Sequence, residues 1–121
     1  MDYREKRQCR RGISRNASIS LRPLDPQTWF HFWDDSDCFM RDISLVGAGI
    51  YFKEKVSVGT RLSIGLCLEK NAGSIRIFGK IAWIGEKEDD RYRAGVSFSW
   101  WQDDRDKKIV GSFVEKLCKV N

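Results

Sequence analysis

The tightest constraint on how this chain can fold is a period of two that recurs along most of its length. Tyr92, Ala94, Val96, Phe98 and Trp100 alternate with Arg91, Arg93, Gly95, Ser97 and Ser99. Side chains two apart on an extended strand share a face, so this pattern predicts a strand with one face in a core. Leu62, Ile64, Leu66 and Leu68 alternate with Arg61, Ser63, Gly65 and Cys67 in the same way. Ile75, Ile77, Gly79, Ile81 and Trp83 share one parity, with Arg76 and Lys80 on the other, which places Trp83 in the core beside Ile81. Ile13, Ala17, Ile19 and Leu21 predict a first strand, ended by Pro23 and Pro26. Two further strands run through Cys38-Phe39-Met40 and Ile50-Tyr51-Phe52, one on each side of a polar corner.

The period then changes. Ile109, Val110, Phe113, Val114, Leu117 and Cys118 recur at spacings of three and four, which predicts a helix with one apolar stripe. Asp103, Asp104 and Asp106 lie where they can cap its start and oppose the dipole, and Lys116 and Lys119 lie at its finish. About six short strands and one helix give an all-β class with a C-terminal helix, a small antiparallel barrel with the helix against it. A chain of 121 residues suits one core. Residues 1–12 lack apolar periodicity and read as a flexible basic arm, leaving 13–121 as the single barrel domain. The ring-rich segment Trp29-Phe30-His31-Phe32-Trp33 suits either a cover on the barrel or a docking patch.

Charge is unevenly placed. Residues 1–15 hold six basic residues against two acidic ones, while the remainder holds sixteen against fifteen. That distribution points to an anionic partner gripped by the arm rather than a general polyanion-binding surface. The balanced body therefore argues against nucleic acid as the partner. Cys9, Cys38, Cys67 and Cys118 are scattered, and His31 is the one imidazole, so neither a metal site nor a nucleophile–base pair is expected. With no cofactor implied, a binding protein is expected rather than an enzyme. No apolar run approaches the ~20 residues of a membrane span, and the charged Met1–Arg7 lacks a signal-like core. Cytoplasmic location with reduced thiols is the expectation.

Two short motifs carry the chemistry. In Arg41-Asp42-Ile43-Ser44-Leu45-Val46-Gly47-Ala48-Gly49, the Asp42 carboxylate and Ser44 hydroxyl are two apart and would aim at one planar partner. The bland alternative is a turn in which Asp42 caps backbone N–H groups. On the arm, Arg7 and Arg11 form an Arg-x-x-x-Arg pair, whose guanidinium forks match the O6/N7 edge of guanine or the oxygens of a phosphate. Arg10 lies between them and could add a phosphate contact. Trp83 has a second reading besides core, as a stacking surface for a purine.

Arg-x-x-x-Arg on an N-terminal arm, followed by Asp-x-Ser-x-x-Gly between two strands of a small barrel, resembles the PilZ domain family. Gly95-Val96-x-Phe98 and the helix after it add to the resemblance, which spans most of the chain. It implies a six-stranded antiparallel PilZ-like β-barrel that binds cyclic di-GMP. By the same resemblance Arg7 and Arg11 would grip guanine and phosphate, Asp42 and Ser44 would read a guanine edge, and Gly47 would shape the corner. The implied function is a cyclic di-GMP receptor or adaptor that orders its N-terminal arm on binding and signals to a downstream protein partner. The rival functions are a PilZ-fold protein-interaction module in pilus or motility assembly that binds no nucleotide, and a small nucleic-acid-binding barrel.

Overall fold

The computed structural model describes residues 17–27, 31–34, 37–68 and 73–119, with side chains as far as residue 116. The alternating segments become six strands: β1 (Ser18–Pro23), β2 (Cys38–Ile43), β3 (Gly47–Phe52), β4 (Arg61–Cys67), β5 (Ile75–Glu88) and β6 (Arg91–Trp101). Every pairing is antiparallel, and the hydrogen-bonded order is β1-β4-β5-β6-β3-β2. The sheet curls into a half-barrel, bringing its two edge strands, β1 and β2, against one another. The Ile13 end of the expected first strand lies outside the described residues.

A strap before β2 closes the seam. Trp33 exchanges two backbone hydrogen bonds with Leu21 of β1, each 2.8 Å. Cys38, at the start of β2, donates its thiol toward the Ile19 carbonyl at 3.6 Å. Trp33 is buried, meets Phe52 edge-on with ring centroids 5.1 Å apart, and donates its indole N–H to Glu54 at 3.1 Å. Of the aromatic segment, then, Trp33 is barrel cover, whereas Phe32 is exposed; Trp29 and Phe30 lie outside the described residues.

The inward parity of each strand supplies the core: Ile19 and Leu21, Ile50 and Phe52, Leu62, Ile64 and Leu66, Ile77 and Ile81, Ala94 and Val96. Burying one such large side chain contributes about 1.5–3 kcal/mol relative to leaving it in water. The helix α1 (Arg105–Lys119) adds Val110 and Phe113 to that core. Ile109, expected on the same stripe, is exposed; Val110 and Phe113 face inward one residue further round the turn. Asp103 caps the helix by accepting the Arg105 N–H at 3.0 Å. The helix passes beside the β2–β3 corner, where a Cβ on Gly111 would lie 3.8 Å from Leu45.

Candidate ligand site on the outer wall

Two β-bulges build the site. In the β2–β3 ladder, Met40 opposes Ile50, but the next pair is Asp42 with Gly49, so Arg41 is an extra residue. Met40 faces the core, and an unbroken strand would turn Asp42 inward as well. The inserted residue reverses the parity and delivers Asp42 to the outer wall. The β5–β6 ladder repeats the device. Ile81 opposes Val96 while Trp83 opposes Gly95, with Ala82 as the insert. Trp83 is therefore not the core residue that its spacing from Ile81 predicts; it faces outward and is 41% exposed.

Gly49 and Gly95 are themselves cross-strand partners. Asp42, Gly49, Gly95 and Trp83 thus form one continuous row across β2, β3, β6 and β5 on the outer face. The two glycines leave the middle of the row bare, and neighbouring side chains lie down in the space. A Cβ on Gly49 would sit 2.6 Å from Arg41 Nη2 and 2.7 Å from Asp42 Oδ1, and one on Gly95 would sit 2.6 Å from Trp83 Cε2. The Arg41 guanidinium lies 5.9 Å from the Trp83 ring centroid, within cation–π range.

Asp42 is fully buried, and both of its oxygens are engaged. Oδ1 accepts the Gly49 N–H at 3.0 Å, and Oδ2 accepts Arg41 Nε–H at 2.9 Å. Ser44 is equally buried and serves the hairpin: its hydroxyl donates to the Gly47 carbonyl at 3.3 Å and accepts the Val46 N–H at 3.2 Å. The expectation that Asp42 and Ser44 aim side by side at one partner is not what this arrangement presents. Each braces the backbone of its own hairpin, the turn alternative foreseen from the sequence. Gly47 shapes the corner by contact, because a Cβ there would collide with the Val96 carbonyl oxygen across the ladder.

A second outward row, Phe39–Tyr51–Arg93, runs alongside. Phe39 and Tyr51 rings lie 5.2 Å apart, and the Arg91 guanidinium lies 4.7 Å over Phe39. With the Glu88–Arg91 hairpin they line a cleft of about 760 Å³. Guanidinium groups beside flat rings offer planar stacking and cationic N–H donors together, which suits an anionic ligand bearing aromatic bases. From the sequence, Arg41 and Arg93 carry no assigned role, and Gly95 stands only as part of the Gly95-Val96-x-Phe98 match. Gly95 on the outward parity of a strand was the available signal, since a strand glycine often marks a close approach.

Arg7, Arg10 and Arg11 lie outside the described residues. Among the described residues no group of three or more His, Cys, Asp or Glu side chains could hold a metal ion. No helix among them is long and apolar enough to cross a membrane.

The chain is similar in fold to a Bacillus subtilis protein whose structure is titled inhibitor of motility (MotI/DgrA), with a TM-score of 0.72 at 12% sequence identity. That match covers 100% of this chain and 55% of the Bacillus one, so the present sequence corresponds to about half of that protein. No curated protein sequence matches this one. A family model described as PilZ domain matches residues 5–116, a span that includes all six strands and most of the helix. With the half-barrel, the Asp42–Gly47 hairpin and that match in agreement, the chain belongs to the PilZ domain family.

Proposed function

We propose that this domain is a receptor for cyclic di-GMP that reports ligand binding to a protein partner, not a catalyst. The observation that carries the reading is the row in which a carboxylate, two bare glycines and a half-exposed indole are aligned on one outer wall. A guanine base fits that chemistry: its flat face would stack on Trp83, and its N–H edge would reach the Asp42 carboxylate once the Arg41 guanidinium that lies against it swings away. Arg7 and Arg11, with Arg10 as a further cation, would bring positive charge to the two phosphates and draw the N-terminal segment onto the wall. Ordering that segment is the step by which binding would reach a partner, with cytoplasmic location following from the nature of the messenger.

The rival reading, a PilZ-fold interaction module that binds no nucleotide, draws on a specific observation. Asp42 and Ser44 are buried and already hydrogen-bonded within their hairpin. Calorimetric titration decides between them. Wild-type protein is titrated with cyclic di-GMP, GTP and a single-stranded oligonucleotide, then Arg7→Ala, Arg11→Ala and Asp42→Ala are compared. Saturable cyclic di-GMP binding at or below tens of micromolar, weakened in each variant, is the expected result. No binding by the wild type sinks the receptor reading in favour of the module. Preferential oligonucleotide binding with a steep salt dependence would point to the nucleic-acid barrel.

A further inference from the structure

Away from the Asp42–Trp83 row, the wall formed by β1, β4 and the first half of β5 has a different composition. Leu21, Leu62, Ile64, Ile77 and Ile81 are fully buried, which fixes the opposite parity as outward. The outward positions are Ser18, Ser20 and Arg22 on β1, Arg61, Ser63, Gly65 and Cys67 on β4, and Arg76, Phe78 and Lys80 on β5. A third bulge, at Ser99, turns Trp100 outward while Trp101 faces the core. One row, Arg22–Ser63–Phe78–Trp100, therefore crosses four strands.

Its β5–β6 end is apolar. The Phe78 and Trp100 rings pack together with centroids 5.1 Å apart, and Trp100 is 60% exposed. Phe32, also exposed, lies under the Arg22 guanidinium at 5.2 Å at the opposite, β1 end of the wall. Arg76 Nη1 donates to Ser63 Oγ, which holds that guanidinium against the wall.

Among the described residues, the outward positions of β1, β4 and the first half of β5 carry charge of one sign. Every charged residue at these outward positions is a cation, and Arg61, Arg76 and Lys80 make no ion pair among the described residues. Of the three carboxylates at the start of the helix, Asp103 pairs with Arg105 and Asp104 with Lys107. Residues 16–121 are nearly balanced in charge, so the segregation comes from which positions the fold turns outward here. A ring pair with Trp100 exposed, set beside like-charged cations, is complementary to a surface that pairs apolar side chains with carboxylates.

We propose that this wall docks an acidic surface of a partner protein. Its carboxylates meet Arg61, Arg76 and Lys80, and its apolar side chains cover Phe78 and Trp100. Protein is favoured over single-stranded nucleic acid because the two rings are spent on each other rather than splayed as successive base-stacking platforms. Aromatic rings with arginines beside them are also enriched at protein interfaces. The proposal needs no bound nucleotide and stands apart from the receptor reading.

Fluorescence anisotropy tests it with four labelled probes: an Asp/Glu-rich peptide with leucine anchors, its Asn/Gln counterpart, oligothymidylate, and phosphatidylglycerol vesicles. The acidic peptide is expected to bind roughly tenfold more tightly than its amide counterpart and more tightly than the other probes, with affinity falling as salt rises. Arg76→Glu, Lys80→Glu and Trp100→Ala are each expected to weaken it about tenfold, equivalent to about 1.4 kcal/mol, with melting temperatures close to wild type. Equal binding of the two peptides, absence of peptide binding, or indifference to the three variants overturns the proposal. So does preferential binding of oligothymidylate or vesicles. Ultracentrifugation adds one more such outcome: a wild-type dimer dissociated by Arg76→Glu would assign the wall to a second copy of the chain.

Discussion

Asp42 and Trp83 stand at opposite ends of a single cross-strand row, and each reaches it through a β-bulge, at Arg41 in one case and Ala82 in the other. Between them lie Gly49 and Gly95, whose missing side chains make room for the Arg41 guanidinium and the Trp83 indole. The arrangement separates effects on the wall from effects on the core.

Trp83→Ala is expected to leave stability within about 1 kcal/mol of wild type, since the indole is largely outside the core. Cyclic di-GMP affinity should fall by the worth of one stacked base, about 1–3 kcal/mol. Gly95→Ala should act in the same direction by pushing the indole off its seat, at small cost because an exposed ring can swing away. Titration calorimetry and thermal unfolding on the same samples check both.

Asp42→Ala is expected to destabilise the fold by about 1–3 kcal/mol, because the Gly49 N–H loses its acceptor in a buried hairpin. Asp42→Asn keeps a side-chain oxygen for that N–H and should lose less stability. Both should weaken nucleotide binding, since each removes the carboxylate. Urea titration ranks the stabilities; comparable loss from Asn and Ala would show that the backbone hydrogen bond is not what matters there.

Trp33→Ala should cost about 3–5 kcal/mol, the range for truncating a buried tryptophan. The loss falls on the strap that closes β1 toward β2, so amide exchange should quicken at Leu21, whose N–H is bonded to the Trp33 carbonyl. Hydrogen exchange followed by mass spectrometry or NMR reads it directly.

Side-chain hydrogen bonds from Arg105 hold Asp103 below the usual carboxylate value of 3.8. A lowered folded-state value means that the stabilisation is fully present above pH 3.8 and is lost as pH falls through the depressed value. Arg105→Ala should move the Asp103 titration midpoint back up toward 3.8, as followed by carboxyl carbon shifts in NMR. The pair is exposed, so salt should shrink the shift.

Much of the architecture was legible because side-chain alternation is a local consequence of the pleat. Leu62, Ile64 and Leu66, and Ile75, Ile77 and Ile81, are buried as their parity requires. Pro23 ends the first strand, and the three- and four-residue spacing after Trp101 becomes the helix. The Asp42–Gly47 hairpin and its link to the PilZ domain family were readable for the same reason, since both rest on short-range motifs.

Placement of Asp42 and Trp83 was decided elsewhere. A bulge exists only relative to a partner strand, and the extra residues at Arg41 and Ala82 become visible only once β3 and β6 are laid against them. Parity counted along one strand put Trp83 in the core; parity counted across the ladder puts it on the wall. The sequence by itself determined that this chain folds as an antiparallel sheet with a terminal helix, because those periods are properties of each segment. The tertiary structure decided which side chains share a wall, because that depends on the register between segments distant in the chain.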